Sequence, residues 1–264
     1  MLIAQLSDPH VRPDGVLYQG VVDSNAQFAA AVAHVNGFDP RPALVLLSGD
    51  LVDQGHADEY AMLARLLAQL NVPFLAIPGN HDEREAFRRA FAGASWLPTS
   101  GPIHYASACG PLRVVALDVT VPGSHHGVAS AESMAWLDET LGAEPARPTI
   151  LMMHQPPFET GIPYMDLYSC REGERLAQVL GRHRQVERVV CGHVHRFMQV
   201  RFGGTMLCTA PSTTTAIALQ LRPDARPASH VEPPAILLHH WSEPAGLVTH
   251  FVPVGNFPGP YPFA

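Results

Sequence analysis

The residues of this chain that are best suited to do chemistry are aspartates and histidines that follow directly after short apolar runs. They stand in five groups: Ser7-Asp8-Pro9-His10, Ser48-Gly49-Asp50, Pro78-Gly79-Asn80-His81-Asp82, His154, and Gly192-His193-Val194-His195. Carboxylate, imidazole and amide groups bind divalent zinc, iron, manganese or cobalt. The four cysteines are scattered and contain no C-x-x-C pair, so no thiolate set favours a structural zinc. The pattern therefore predicts a site for divalent metals.

Seven side chains of these groups are candidate metal ligands: Asp8, His10, Asp50, Asn80, His154, His193 and His195. Seven ligands are too many for one four-coordinate ion, and they suit two ions that share one carboxylate. Paired metals stabilise both the attacking and the leaving oxygen in phosphoryl transfer, and they generate hydroxide near neutral pH. A lone histidine after a strand is more often a hydrogen-bonded structural residue, so the prediction depends on the whole ordered series.

The apolar runs before these groups predict the strands that position them. Predicted strands are Leu2–Ser7, Ala43–Ser48, Phe74–Ile77, Arg113–Leu117, Thr149–Met153 and Arg188–Cys191. Stretches with helical spacing alternate with them: Asn25–Val35, Glu59–Leu70, Glu83–Phe91, Ala131–Leu141 and Arg171–Arg182. This alternation predicts an α/β fold with helices that cover the sheet faces. Since ligands bind outside the carboxyl ends of strands in such sheets, the five groups should meet at one rim.

After Phe197 the sequence changes character, because strand-like runs follow one another without a convincing helix. The runs are Met206–Thr209, Ala216–Leu221, Ala235–Trp241 and Leu247–Val252, and the proline-rich Arg222–Pro234 is predicted to be a loop. The aromatic tail from Gly255 to Phe263 either packs on a neighbouring subunit or lies on its own.

Composition excludes some classes of function. The 264 residues carry a formal net charge of −7, and no basic stripe predicts binding to a nucleic-acid polymer. The N-terminus lacks the pattern of a signal peptide, and no apolar run has the length of a membrane span. With scattered cysteines as well, we expect a cytoplasmic protein with reduced thiols and no membrane partner.

The five groups resemble the five signature blocks of the calcineurin-like metallophosphoesterases, over Leu2 to about His195. Further segments resemble the bacterial glycerophosphodiesterase of this superfamily: Leu17 to Ala26, Met165-Asp166 with Cys170, Gly173 and Leu176, and Gly259-Pro260-Tyr261. Ala210-Pro211-Ser212-Thr213 resembles the related class III cyclic-nucleotide phosphodiesterases. With these segments, the resemblance covers nearly the whole chain.

The resemblance implies a four-layer αββα sandwich of two mixed sheets flanked by helices. Residues 1–200 would form the core, and residues 201–264 would supply strands that complete the sandwich and a tail for dimer contacts, in a single domain. One metal ion would bind Asp8, His10, Asp50 and His195. The other would bind Asp50, Asn80, His154 and His193. His81 would bind no metal and would face the substrate phosphate.

The expected activity is hydrolysis of small phosphodiesters, either glycerophosphodiesters or 3′,5′-cyclic nucleotides, by in-line attack of a metal-bound hydroxide. Asp50, Asn80 and His81 are the expected catalytic residues, with His81 stabilising the transition state or protonating the leaving alkoxide. The alternatives are a phosphomonoesterase or protein phosphatase of the same superfamily, and an inactive binding scaffold. Protein phosphatases carry Arg and Glu where this chain has Gln54 and Asp82, and a scaffold would have lost ligands. A homodimer or higher homo-oligomer is expected.

Other residues allow two interpretations. Asp82 would either orient a neighbour of the metals or cap the next helix, and Asp118 would support the metal site or a turn. His125 and His126 would touch substrate or, more often, only solvent. One of His239 and His240 should be buried, in a structural role. Tyr18, Asp23 and Tyr164 lie in loops that could line a pocket, and Gln155 replaces a histidine of some relatives.

Overall fold

The computed structural model describes residues 1–263, so Ala264 of the predicted C-terminal region lies outside the described residues. In chain order the strands are β1 (Leu2–Leu6), β2 (Leu44–Leu47), β3 (Phe74–Ala76), β4 (Tyr105–Cys109), β5 (Leu112–Ala116), β6 (Gly127–Val128), β7 (Thr149–Met152), β8 (Cys170–Arg171), β9 (Val186–Cys191), β10 (Met198–Phe202), β11 (Thr205–Thr209), β12 (Ala216–Ile217), β13 (Ser229–His230), β14 (Ala235–Ser242) and β15 (Gly246–Pro253). The helices are α1 (Ser24–Asn36), α2 (Ala57–Leu67), α3 (Arg84–Ala90), α4 (Ala131–Gly142), α5 (Pro163–Asp166) and α6 (Gly173–Leu180).

Two mixed sheets form the centre of the fold. The first has the order β15-β14-β1-β2-β3, and the second has the order β10-β11-β9-β7-β5-β4. In the first sheet β1, β2 and β3 are parallel, while β14 pairs with β1 antiparallel. In the second sheet β5, β7, β9 and β11 are parallel, with antiparallel β4 and β10 at the edges. The strands after residue 200 therefore extend both sheets.

Alternating side chains of the second sheet show how the layers stack. Val114, Ile150 and Val190 point into one apolar cluster, which also contains the first sheet and residues of α1 and α2. Their neighbours Val115 and Leu151 point the other way, into a cluster with residues of α4 and α6. Because side chains alternate across a strand, the second sheet is buried on both faces. This is the predicted αββα sandwich.

The sequence predicted every long parallel strand but missed the two edge strands β4 and β10. Both alternate between more and less exposed residues, as an edge with one solvated face does, whereas the prediction relied on continuous apolar runs. The predicted strand Ala216–Leu221 is shorter, because only Ala216 and Ile217 pair, with β13. That pairing turns part of the predicted loop Arg222–Pro234 into a small hairpin.

A series of hydrogen bonds between buried polar side chains links the two sheets. The side chain of Gln5 in β1 donates to the hydroxyl of Ser48 (2.9 Å) and to the carbonyl of Cys191 in the second sheet (3.0 Å). His239 in β14 contacts Gln5 (3.1 Å) and Thr249 (2.9 Å) through its two ring nitrogens. His239 is buried and His240 is exposed, as the strand alternation predicted.

Burial, reinforced by Arg188, lowers the pKa of His239 from 6.5 to about 3. Between these values the unfolded chain binds a proton that the folded chain does not, so stability falls as the pH falls below 6.5. From pH 8 to pH 5 we expect this residue to lower the free energy of unfolding by about 2 kcal/mol. The free energy of unfolding of the metal-free protein, measured with urea at several pH values, should show this dependence on pH. The His239→Gln variant should lose the contribution of His239. Equal slopes in both proteins would contradict the assignment.

None of the helices described in residues 1–263 has both the length and the hydropathy for crossing a bilayer. All four cysteines are free thiols. The cytoplasmic location expected from the sequence stays a prediction.

Candidate metal centre

Five loops at the carboxyl ends of β1, β2, β3, β7 and β9 bring the seven candidate ligands together. Seven non-glycine residues of the described chain have a left-handed backbone, and five of these are candidate ligands: Asp8, His10, Asp50, His193 and His195, with φ between 42° and 73°. Such backbone costs about 1–3 kcal/mol per residue and persists only where the surroundings enforce it. The strain is therefore concentrated at this one site.

The first group of ligand atoms comes from Asp8, His10 and His195, which are all buried. The Nε2 atoms of His10 and His195 are 3.1 Å apart, and His195 Nε2 lies 3.4 Å from Asp8 Oδ1. Nδ1 of His195 contacts the carbonyl oxygen of Thr215 at 2.9 Å. Because a carbonyl only accepts, Nδ1 carries the hydrogen and the lone pair of Nε2 faces the group.

The second group consists of Asp50, His154 and His193. His154 Nδ1 donates to the carbonyl of Ser48 (2.8 Å), and its Nε2 lies 3.2 Å from Asp50 Oδ2. The same Oδ2 atom lies 3.9 Å from His10 Nε2 of the first group. One oxygen of Asp50 is therefore located between the two groups.

Backbone amides hold the carboxylates in place. The amide of His193 donates to both oxygens of Asp8, at 3.0 and 3.1 Å, and the amide of His81 donates to Asp50 Oδ1 at 2.8 Å. Asp50 Oδ2 thus faces the two histidine groups. Each donor belongs to another of the five loops, so the loops position one another's ligands.

The charges of the site favour bound cations. Burial opposes ionisation of Asp8, but His195 and His154 hold its pKa below the ordinary value. Asp50 is also buried, and its pKa lies well below the ordinary value because of His154, His81 and His10. In the metal-free protein burial disfavours the charged His154, yet Asp50 and Asp8 raise its pKa to about 9. Two buried carboxylates therefore remain anionic and need positive partners.

Unpartnered polar atoms test whether a metal pair fits these residues. His154 Nε2, His193 Nε2 and Asn80 Oδ1 are buried without a hydrogen-bond partner. Buried polar atoms nearly always have one. All three are good donors for divalent cations, and His154 and His193 lie in one group with Asp50. The donor set therefore fits a pair of divalent ions in chemical type and in arrangement.

Glycines allow the loops to approach this closely. Gly49 has a φ of +99°, and a Cβ atom at Gly79 would lie 2.2 Å from Asp50 Oδ1. At Gly192 a Cβ atom would lie 2.1 Å from the hydroxyl of Ser7 and 2.7 Å from Asp8 Oδ2. These are closer than atoms can approach without movement of the site.

We expect Gly192→Ala to lower the free energy of unfolding of the metal-free protein by about 1–3 kcal/mol, because the new methyl group overpacks the site. It should also weaken metal binding through displacement of Asp8. Urea unfolding and metal titration measure the two effects. Gly142→Ala is the matched control, since its Cβ atom would meet only His183, at 3.9 Å. Wild-type behaviour of Gly192→Ala would show that the loop can move without cost.

His81 lies beside the two groups and is held by its backbone and by Asp53. Its Nδ1 atom donates to the carbonyl of Asp53 (2.7 Å), which leaves Nε2 free, and its side chain is 27% exposed. Burial would lower the pKa of His81, but Asp50 and Asp53 raise it. The Asp53 carboxylate pairs with Arg12 at 2.6 Å, and Arg12 also pairs with buried Glu59 at 2.8 Å.

The interpretation of Asp82 as a helix cap is wrong, because Glu83 caps α3. Asp82 accepts hydrogen bonds from the amides of Leu51 (3.1 Å) and Gly79 (2.9 Å) and from the hydroxyl of Tyr60 (2.8 Å). It thereby joins the loops that carry Asp50 and Asn80. Burial, together with Asp50, raises its pKa to about 7 in the metal-free protein.

Asp118 supports a turn and contacts none of the candidate ligands in the described structure. It pairs with Arg84 (2.7 Å) and accepts from the amides of Ile103 and Thr120 (2.9 Å each). Asp23 caps α1 through the amide of Ala26. Trp96, Trp136 and Trp241 pack against the two apolar clusters, and Cys191 is buried as a small apolar residue.

The loop with His125 and His126 is exposed or half-buried, as predicted, but His125 also contacts the site. Its Nδ1 atom lies 3.1 Å from Asn80 Nδ2, so it accepts from the amide and helps to turn Asn80 Oδ1 inward. Gln155 anchors this loop through the carbonyl of His125 at 3.1 Å. No contact of His126 with the ligands is described.

Sequence reasoning missed Arg12, Asp53 and Glu59 at the site. Asp53 follows Asp50 by three residues and Arg12 follows His10 by two, so proximity to the ligands was an available signal. Glu59 lies in α2 and gave no local signal. The sequence predicts Tyr18 only as a pocket residue, but it is buried and its ring stacks on His10 at 4.6 Å between centroids.

The fold and the candidate site together define the class of protein to which this chain belongs. Residues 1–197 match the family described as calcineurin-like phosphoesterases, and the chain belongs to that family. A "Probable glycerophosphodiester phosphodiesterase GpdQ" from Arcobacter nitrofigilis is 37% identical over 100% of this chain and 97% of its own length. The "3′,5′-cyclic adenosine monophosphate phosphodiesterase CpdA" from Pseudomonas aeruginosa is 30% identical over 83% of this chain and 78% of its own. The resemblance predicted from the five sequence groups is confirmed.

A solved structure of a dimetal phosphatase from Danio rerio has the same fold. It covers 97% of this chain and 99% of its own, with a TM-score of 0.63 and 15% sequence identity. This likeness concerns the fold alone, and it agrees with the predicted sandwich architecture.

Proposed function

We propose that this chain is a phosphodiesterase that hydrolyses small phosphodiesters with two divalent metal ions. Asp8, His10, Asp50 and His195 would bind one ion, and Asp50, Asn80, His154 and His193 would bind the other. The observation that carries the proposal is the position of Asp50 Oδ2, 3.9 Å from His10 Nε2 and 3.2 Å from His154 Nε2. A single oxygen between two ligand groups is what a bridging carboxylate requires.

The protein's own residues have separable roles in the reaction. When bound, a pair of divalent ions supplies positive charge for the phosphate oxygens and makes water a nucleophile near neutral pH. His81 presents Nε2 to the substrate phosphate, where it stabilises the developing charge or protonates the leaving alkoxide. Its Nδ1–H donates to the Asp53 carbonyl, which fixes the ring orientation. Asp50 and Asp53 raise the pKa of His81 against the effect of burial, which favours the imidazolium form with its second proton on Nε2. His125 and Asp82 position Asn80 and its loop.

The relatives support small diesters as the substrate class. The relative named a glycerophosphodiester phosphodiesterase aligns with the whole chain, and the one named a cyclic AMP phosphodiesterase aligns with most of it. The negative net charge of −7 disfavours long polyanionic substrates. All seven ligand positions are occupied by metal-binding residue types, which disfavours an inactive scaffold.

Hydrolysis of bis(p-nitrophenyl) phosphate with added manganese, zinc, iron or cobalt tests the activity, and p-nitrophenyl phosphate serves as the monoester comparison. We expect faster cleavage of the diester and about two ions per chain by elemental analysis. Activity on the monoester alone would favour a phosphatase, and no activity with any metal would favour a scaffold. Which metal supports the highest activity identifies the ion that the site prefers.

We further propose that the chain acts in the cytoplasm as a homodimer or higher homo-oligomer, with contacts through its C-terminal tail. Phe257, Tyr261 and Phe263 are 61%, 75% and 96% exposed in the single chain, which is unfavourable for large apolar rings. Size-exclusion chromatography with light scattering tests this assembly. A species of 28.6 kDa at micromolar concentration would contradict it.

A further inference from the structure

A continuous belt of aromatic rings extends outward from the candidate metal centre. The ring of His81 meets the ring of His10 edge-on, with 4.8 Å between centroids. On the other side, His81 lies 5.7 Å from His125. The belt therefore starts at the residue that we expect to face the phosphate.

Two tyrosines continue the belt to the surface. Tyr168 lies 5.3 Å from His125, and Tyr164 lies 5.3 Å from Tyr168, each between ring centroids. Both tyrosines belong to the segment around α5, and Tyr164 is 40% exposed. We call His125, Tyr168 and Tyr164 the aromatic wall. No part of the reaction described above uses the two tyrosines.

The outer end of the aromatic wall borders a cavity of about 220 Å³. Apolar and amide side chains line it, including Ile162, Ile217, Gln19 and Gln220. Gln19 donates to the hydroxyl of Tyr18 at 3.0 Å, and Tyr18 stacks on His10. Residues that line the cavity thus lead to the metal centre along two chains of side-chain contacts, one through the wall and one through Tyr18.

We propose that the aromatic wall and this cavity bind the organic part of the diester and select a planar ring, such as a nucleobase, over glycerol. This inference rests on the proposed function, since it assumes that the phosphate lies at the metal centre. Aromatic side chains bind bases through their faces, and amides such as those of Gln19 and Gln220 can hydrogen-bond to a base edge.

The charge of the cavity distinguishes a base from a cationic headgroup. Aromatic rings also bind quaternary ammonium groups, so choline is the main competing ligand for such a wall. Among the described residues that line the cavity, Arg226 is charged and none is acidic. Arg226 makes no ion pair in the described structure, and its positive charge would repel an ammonium group. The cavity therefore favours an uncharged ring.

The test compares two substrates in three variants of the metal-loaded enzyme. Tyr164→Leu and Tyr168→Leu keep apolar bulk but remove the aromatic face. We expect each to lower kcat/KM for cyclic AMP about tenfold, the effect of one lost base–aromatic stack, and to change it less than about twofold for glycerophosphocholine. Leu167→Ala is the control, because Leu167 lies between the two tyrosines and is 63% exposed.

Equal losses with both substrates, or unchanged values for cyclic AMP, would overturn the assignment. Calorimetric binding of adenosine is a second measurement that needs no turnover. Wild-type protein should bind adenosine about tenfold more tightly than Tyr168→Leu, and equal or undetectable binding in both would also overturn it. If the wild-type protein cleaves no diester but binds adenosine in this way, the proposed function is refuted, while the aromatic wall is still supported as a binding surface for a base.

Discussion

Replacement of Asp50 by Asn is expected to abolish the paired metal site and to lower kcat/KM for bis(p-nitrophenyl) phosphate at least about a thousandfold, or about 4 kcal/mol. Asn has nearly the same shape, so the loop should keep its form. The change removes one negative charge and puts a neutral amide where Oδ2 lies between the His10 and His154 groups. Both ions should therefore bind more weakly, whereas loss of any other ligand weakens mainly one.

Elemental analysis and metal titration measure this loss, alongside steady-state kinetics. Asp118→Asn is the matched control, because Asp118 is equally buried but pairs with Arg84 instead of facing the ligands. We expect that variant to lose stability yet keep its metal content. Circular dichroism would confirm that both variants fold. Full metal content and wild-type turnover in Asp50→Asn would refute the bridging role and the two overlapping ligand sets.

His81→Ala is expected to retain both ions and to lower kcat between about 10²- and 10⁴-fold, the usual contribution of a positioned proton donor. His81 is not among the seven candidate ligands, and its Nδ1 is already bound to the Asp53 carbonyl. His240→Ala is the control, since His240 is exposed on β14. Turnover equal to wild type in a fully metal-loaded His81→Ala protein would remove His81 from the chemistry.

The choice of leaving group separates the two roles proposed for His81. p-Nitrophenolate leaves without a proton, whereas the alkoxide of an alkyl diester needs one. If His81 is the acid, His81→Ala should slow hydrolysis of glycerophosphoethanolamine far more than that of bis(p-nitrophenyl) phosphate. Equal losses would instead indicate that His81 stabilises charge on the phosphate itself.

Much of the candidate metal centre could be predicted from the sequence because its candidate ligands follow strands directly. In parallel strands of an open sheet, the carboxyl ends meet at one edge, so a residue's place after a strand largely determines where it lies. Asp8, Asp50, Asn80, His154 and His193 are all of this kind. The need for glycine beside these residues has an equally local cause, since only glycine fits where another loop approaches so closely.

Only the tertiary structure revealed the contacts between distant parts of the chain. Glu59 reaches the site through Arg12, and His125 turns Asn80 from a loop 45 residues away. The same holds for the aromatic wall, because Tyr168 meets His125 only in the folded chain, where Tyr164 packs against Tyr168. No local periodicity encodes such encounters, and the edge strands β4 and β10 were missed for a related reason, since their partners rather than their apolarity define them. The sequence by itself determined the candidate ligands and the predicted reaction class. Only the packing of loops decided which side chains surround those candidates, because such contacts join residues that are far apart in the chain.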